Sequence, residues 1–247
     1  MKPESIIQIE NLFKAFDGKA ILQEIGLRLN PHENLVVLGK SGAGKTVLLK
    51  CIVGLLQPDR GNIRVFDTDI VNCTHPELDE VRTRIGYVFQ QGALYDSISL
   101  KENLLFPLLR NVKFFKTPAK EMEHRVETNL GNVGLLEAIH KMPAELSGGM
   151  KKRAGLARAL MLSPEIMLYD EPTAGLDPFT AQEISDLIVD IQHKHGTASI
   201  IVTHDMKCAQ TVSDRICILH DGQFIAEGDY KTLGTSQDQR VSMFFTP

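Results

Sequence analysis

The sequence is poor in features that would send it to several large functional classes. It carries no excess of basic charge: 27 Lys and Arg stand against 31 Asp and Glu, for a formal net charge of −4. No overall positive field therefore recruits nucleic acid or acidic lipid, and no nucleic-acid partner is expected. The 4 cysteines, Cys51, Cys73, Cys208 and Cys217, form no C-x-x-C pair, which argues against structural zinc and fits small apolar residues in a reducing compartment. His193 and His195 bracket Lys194 at the end of a helix-like stretch, without the cluster of partners a transition metal needs. No apolar run approaches the roughly 18 residues of a bilayer span; Lys50 and Arg110 interrupt the nearest candidates, so any membrane role is expected to be peripheral. The start, MKPESIIQIENL, lacks the apolar segment of a signal peptide, and an unprocessed start near Met1 is expected. Internal repeats and low-complexity tracts are missing as well.

At 247 residues the chain can bury a sizeable core as one α/β domain with a lesser subdomain. Residues 6–9 and 21–29 alternate as half-buried strands do, while Leu35 to Leu38 is continuously apolar, as in a strand covered on both faces. A helix from Lys45 to near Gly54, a turn at Gln57 to Gly61, a strand at Asn62 to Phe66, a short helix near Pro76 to Arg84 and a strand at Ile85 to Phe89 follow. From Gln91 to about Leu162 the pattern is helical, punctuated by Pro107, Pro118 and Pro143. Strand and helix then alternate through 166–169, 179–193, 199–203 and 205–212, and 215–219 with 223–227 resemble a closing hairpin. This order builds a parallel sheet with helices on both faces. The expected division is a core of 1–90 and 163–233, a helical insertion of 91–162 and a tail of 234–247, whose Met243, Phe244 and Phe245 are expected to dock on their own domain.

The chemistry begins at GKSGAGKT, Gly39, Lys40, Ser41, Gly42, Ala43, Gly44, Lys45 and Thr46. A glycine-rich loop between a strand and a helix start turns its backbone N–H groups inward and adds the positive end of the helix dipole, which makes a phosphate cradle. Lys45 can reach the β- and γ-phosphates and the Thr46 hydroxyl can ligate Mg²⁺. The run IMLYDE ends in Asp170 and Glu171, at the carboxyl end of a strand where ligands of open α/β sheets bind. Asp170 suits the metal, directly or through water, and Glu171 suits orienting and polarising an attacking water. His204 and Gln90 each close an apolar strand at the same end: His204 could contact a γ-phosphate, and Gln90 could reach metal or water. Phe16 offers an aromatic face for adenine. LSGGM opens a further helix, with Ser147 as its cap and Gly148 and Gly149 leaving N–H groups open to an anion. It is a second phosphate-seeking helix start in a chain with one cradle. Lys151, Lys152, Arg153 and Arg158 are expected on the solvated side of that helix.

These elements, in this order, resemble the ATP-binding cassette (ABC) ATPases over nearly the whole chain: the aromatic A-loop at Phe16, Walker A at 39–46, the Q-loop at Gln90, the signature LSGGM, Walker B with its glutamate, the D-loop from Ala174 to Asp177 and the switch histidine His204. The resemblance implies a P-loop NTPase core with a parallel sheet, an antiparallel β subdomain and an inserted helical subdomain. It also implies ATP with Mg²⁺, catalysis by Lys45, Glu171, His204 and Gln90, and a head-to-tail homodimer. In that dimer each ATP lies between one chain's Walker A and the other's Ser147, Gly148 and Gly149, with Asp177 beside it. A narrower likeness joins FQ-x-GAL, MP-x-ELSGGM and the tail RVSMFF to the ATPases of Mla-type, Mce-associated phospholipid transport. It implies integral-membrane permease subunits, an Mce-type lipid-binding subunit, and a peripheral position on the cytoplasmic face of the bacterial inner membrane. Lys40 stands where many cassettes have Pro, Met150 where the signature usually has Gln, and Ala174–Gly175 where Ser-Ala is common. The rival readings are another transporter cargo, an amino acid or a metal, and a soluble cassette ATPase of repair, translation or iron–sulfur assembly. Repair and translation are disfavoured by the lack of a long heptad insertion and of a second cassette, and a GTPase by the lack of an N-K-x-D string.

Overall fold

The computed structural model describes residues 5–111, 113 and 116–245; the expected start near Met1, the last residues of the tail and three positions of the helical insertion lie outside the described residues. The fold is organised by β3 (Asn34–Leu38), whose five residues are all buried. Side chains alternate across a strand, so Val36 and Leu38 enter one hydrophobic core while Leu35 and Val37 enter the other. This explains why the segment has no polar face. β8 (Ala198–Thr203) and β9 (Arg215–His220) pair parallel with β3 on its two sides. β7 (Ile166–Asp170) and β6 (Ile85–Val88) extend the parallel array, and β10 (Gln223–Gly228) adds an antiparallel edge, giving the order β10-β9-β3-β8-β7-β6. β9 and β10 form the anticipated hairpin, turning at Asp221 and Gly222 with φ of 46° and 77°, the left-handed pair that a two-residue hairpin turn requires.

A second, antiparallel sheet runs β2-β1-β4-β5, from β1 (Ile7–Phe16), β2 (Lys19–Leu29), β4 (Arg60–Val65) and β5 (Thr68–Asp69). Its first strand is longer than the sequence pattern predicts. The ladder shifts register between Ile9 and Leu12, around Asn11 at φ 51°; such a bulge throws the alternation out of phase, so the strand past Glu10 carries no regular period.

α1 (Lys45–Ile52) follows the glycine-rich loop and α2 (His75–Thr83) precedes β6. The segment between β6 and β7 holds α3 (Leu100–Arg110), α4 (Ala119–Asn132) and α5 (Gly148–Ala159), which pack on the core face that includes Val36 and Leu38. α3 starts on a reciprocal cap between Ser99 and Glu102. Pro107 does not punctuate it but lies inside the helix. α6 (Pro178–His195), α7 (Met206–Val212), α8 (Tyr230–Gly234) and α9 (Gln239–Phe245) complete the chain. The tail docks as expected through buried Val241 and the Phe245 ring, edge-on to Tyr230 at 5.2 Å between centroids, while Met243 faces solvent. His193 and His195 are exposed at the end of α6. All four thiols are free; burial pushes those of Cys51 and Cys208 up to about 11 and that of Cys217 to about 12. Among the described residues, no helix is long and apolar enough to cross a membrane.

One polar knot ties the two sheets together. Arg215 at the start of β9 donates to Glu33 through Nε at 2.6 Å and Nη2 at 2.9 Å, to Glu227 of β10, and to the Arg28 carbonyl of β2. Burial alone would raise the Glu33 pKa, but the Arg215 and Asn30 hydrogen bonds outweigh it and hold the carboxyl below its ordinary 4.5. A carboxyl whose folded pKa is depressed adds stability that is present above its unfolded pKa and lost as pH falls through the folded one. Arg215→Ala would leave Glu33, with a side chain 12 % exposed, as a buried charge without its partner. The expected cost is about 3 kcal/mol, read as a fall in Tm of about 6–12 °C that shrinks as pH falls below the ordinary carboxyl value of 4.5 and through the lower folded-state one. A thermal melt with an unshifted Tm at neutral pH would show that the knot contributes nothing.

Candidate functional site

The carboxyl ends of the parallel strands β3, β7 and β8, with the turn after β6, converge on one open cleft of about 460 Å³. It is lined by Phe16, Ile21, Ser41, Gly42, Gly44, Lys45, Thr46, Val47, Gln90, Glu171 and His204. The loop from β3 to α1 needs its glycines. Gly42 and Gly44 have φ of 82° and 104°, and a Cβ on Gly39 would sit 2.7 Å from the Leu219 carbonyl, so an L side chain is strained or excluded at all three. Gly44 ends the loop as the N-cap of α1 without any side-chain cap. The helix start is thus left to interact with a ligand rather than with its own chain.

Lys45 is 5 % exposed. Its Nζ donates to the carbonyls of Gly39 and Lys40 at 2.7 and 3.0 Å and pairs with Glu171 Oε1 at 2.9 Å. An ammonium has three donors, and here each has an oxygen. The other carboxylate oxygen of Glu171 takes the His204 main-chain N–H at 3.3 Å and lies 2.8 Å from His204 Nδ1. Glu171 is therefore clamped between Lys45 and a half-exposed His204, at φ 48°, a left-handed conformation uncommon for a non-glycine residue. Next to it, Asp170 Oδ1 accepts from the Thr46 hydroxyl at 2.9 Å, and Tyr87 OH approaches Oδ2 at 3.5 Å. Burial pushes the Asp170 carboxyl above its ordinary range, against the lowering effect of the Thr46 hydroxyl.

The donor set is one of hard oxygens: the Thr46 hydroxyl, the Asp170 carboxylate and the Gln90 amide at the rim. This suits Mg²⁺ carried by a phosphate ligand better than a thiolate- or imidazole-preferring metal. A phosphate would find the loop's main-chain N–H groups and Lys45, and the apolar side of Phe16, Ile21 and Val47 would meet a flat base. Phe16 is 42 % exposed, with Lys14 Nζ 5.2 Å from its ring centre.

The structure brings together Phe16, the 39–46 loop, Gln90, Asp170, Glu171 and His204. Ser147, Gly148, Gly149 and Asp177 do not line this cleft. Ser147 caps α5 by accepting from Met150 N, and Asp177 caps α6 by accepting from the Phe179 and Thr180 N–H groups and the Thr180 hydroxyl. These two helix starts touch each other: a Cβ on Gly149 would meet Thr180 Cγ2 at 2.5 Å, and Gly148 faces Leu176. Ser147 and Gly148 are exposed, so a second phosphate-seeking helix start opens to solvent outside the first cleft.

The expected solvated basic face of α5 is not there. None of Lys151, Lys152, Arg153 or Arg158 is exposed. Lys152 is buried and donates to the Glu171 carbonyl at 2.9 Å, while Arg158 donates to the Ala93 carbonyl. Burial lowers the Lys152 pKa. Residue type misled; helical period would have corrected it, because Gly149, Lys152 and Leu156 share one stripe at i, i+3 and i+7, and all three are buried. Tyr87 was likewise missed, and no short motif flags it. Neither was Asn103 singled out; it is buried in α3 and holds the loop after Gln90 by exchanging hydrogen bonds with both main-chain groups of Tyr95.

The ABC transporter family profile matches residues 22–174. The chain is 42% identical over 240 residues to the probable ribonucleotide transport ATP-binding protein Mkl of Mycobacterium tuberculosis, covering 96% of this chain and 66% of that relative's length. It is 38% identical over 241 residues to the intermembrane phospholipid transport system ATP-binding protein MlaF of Haemophilus influenzae, covering 98% of this chain and 90% of that one. A solved dimeric structure of the ATP-binding cassette MJ0796, in a post-hydrolysis state with ADP and Pi, superposes with a TM-score of 0.82 at 28% identity, covering 90% of this chain and 98% of that one. Fold, cleft and sequence likeness agree, and the chain belongs to the ABC transporter family.

Proposed function

We propose that this protein is the ATP-hydrolysing subunit of an ABC transporter that moves phospholipid between the inner and outer membranes of a bacterium. It works as a head-to-tail homodimer on the cytoplasmic face of the inner membrane, with integral-membrane permease subunits and an Mce-type lipid-binding subunit as partners. The observation that carries the reading is the clamp of Lys45, Glu171 and His204 inside a glycine-lined phosphate cradle, with the exposed Ser147–Gly148 start left over for a second chain. ATP with Mg²⁺ supplies the transferable γ-phosphoryl group. Lys45 supplies fixed positive charge at the cradle, and Thr46, Asp170 and Gln90 supply the oxygens for the metal. Glu171 holds and polarises water once released from Lys45, and His204 keeps hold of the free side of its carboxylate. Ser147, Gly148, Gly149 and Asp177 serve the neighbouring chain's nucleotide, which makes each site complete only in the pair.

The phospholipid assignment rests on the likeness to MlaF, which spans nearly the whole of both chains. The ribonucleotide assignment of Mkl is the competing reading, favoured by the higher identity. Purification of the tagged chain from native membranes, followed by reconstitution in nanodiscs, separates them. The expected result is co-purification of a multi-spanning permease, with ATP turnover stimulated severalfold by glycerophospholipid and unaffected by added ribonucleotides other than the ATP substrate. Stimulation by ribonucleotides alone would replace the lipid reading with the other.

A further inference from the structure

Lys152 is an ammonium set where a surface helix would place an apolar side chain. It is 7 % exposed, and a buried charge paired with a neutral carbonyl is a costly choice for stability alone. The carbonyl it reaches is that of Glu171, which also accepts from Ala174 N at 3.2 Å. The two lone pairs of that oxygen are thus held by α5 on one side and by the turn after β7 on the other. The Glu171 N–H is bonded to Val202 O at 2.9 Å. The Glu171 main chain, which aims the carboxylate, is thus fixed on both sides of its Cα from three elements, one of them through Lys152.

The other end of the connection is the exposed start of α5. Lys152 lies four residues after Gly148, about 6 Å along one continuous helix. That helix is seated tightly along its length: Gly149 against Thr180, and Gly155 against Gly92, whose carbonyl oxygen a Cβ on Gly155 would meet at 2.9 Å. Arg158 adds its bond to the Ala93 carbonyl at 2.5 Å, just beyond Gln90. A shift of the helix start cannot be absorbed by loose packing and is passed on to the Glu171 peptide.

We propose that Lys152 is a positioning residue that ties the helix start capping the neighbouring chain's nucleotide to the peptide that orients Glu171. Capping at one site is thereby relayed to hydrolysis at the other. The inference rests on the two-site reading above and deepens it by naming the link between the sites.

The test compares Lys152→Met and Lys152→Arg with the parent in the full-length chain, by amide exchange without nucleotide and by steady-state kinetics. In the Met variant, exchange across 171–176 is expected to rise about tenfold while β7 stays protected. Its kcat is expected to fall about 10- to 100-fold with nucleotide affinity kept within about twofold, and the Hill coefficient for ATP to drop to about 1. The Arg variant, which keeps a charged donor, restores most of kcat and of the protection. The proposal is overturned by unchanged exchange and kcat, by affinity and kcat falling in proportion, or by an Arg variant no better than Met. If the Met variant does not fold, Lys152→Ala, which removes the donor without filling the space, is read by the same measurements against the same overturning results. Wild-type turnover in Glu171→Gln would instead reject the underlying role of the glutamate, so the two failures are distinguishable.

Discussion

Glu171→Gln is expected to slow ATP turnover by about 10²- to 10⁴-fold, the usual contribution of a positioned base, while increasing the amount of nucleotide-bound dimer. The change keeps the shape of the side chain and removes its charge. Nothing else in the cleft replaces it: Asp170 is occupied by Thr46 and Tyr87, and His204 lies on the far side of the Glu171 carboxylate from Lys45. The ion pair with Lys45 adds a second consequence. Lys45 is bonded to Glu171 Oε1, so a phosphate entering the cradle competes with a carboxylate for the same ammonium. A neutral amide there competes less, and ATP affinity is expected to rise severalfold as turnover falls. Steady-state phosphate release gives the first quantity, titration with a fluorescent ATP analogue the second, and size-exclusion chromatography with ATP and Mg²⁺ the dimer. Normal turnover in this variant would remove Glu171 from the mechanism.

Lys45→Ala is expected to weaken ATP binding by about 30- to 4000-fold, equivalent to the 2–5 kcal/mol lost on truncating one partner of a buried charge pair, and to take turnover below detection. Three oxygens lose their donor at once: two carbonyls of the loop and one carboxylate oxygen of Glu171. The loss of both the phosphate contact and the charge that neutralises Glu171 distinguishes this variant from Glu171→Gln, which should bind well and turn over slowly. Melting curves control for folding, since Lys45 is buried in its own right. A Lys45→Ala protein that binds the fluorescent analogue as the parent does would move the nucleotide site out of this cleft.

Much of the cleft was legible because its residues are constrained locally. The glycines of 39–46 answer to backbone conformation within one loop, and Asp170, Glu171 and His204 follow directly after apolar strands, so chain order alone puts them at the same sheet end. The β1 strand was less legible, because a bulge at Asn11 breaks the alternation on which strand detection depends. Pro107 was read as a break and sits within α3. There the core packing of Leu104 and Leu108, both fully buried, holds the helix together across one missing N–H. The basic run 151–153 was misread because charge was taken to mean exposure, whereas the stripe that includes Lys152 faces the core.

The linear order of residues by itself determined the parallel sheet, the phosphate cradle and the identity of the groups around it, since each depends on neighbours a few positions away or on the side-chain period of a single element. Only the tertiary structure decided that Lys45 rests on Glu171, that Lys152 reaches the Glu171 carbonyl, and that Ser147–Gly149 opens away from the cradle. These are contacts between segments far apart in the chain, up to 126 residues in the first case. They are selected by how two hydrophobic cores seat α5 against β7, a result of packing geometry that no local pattern encodes.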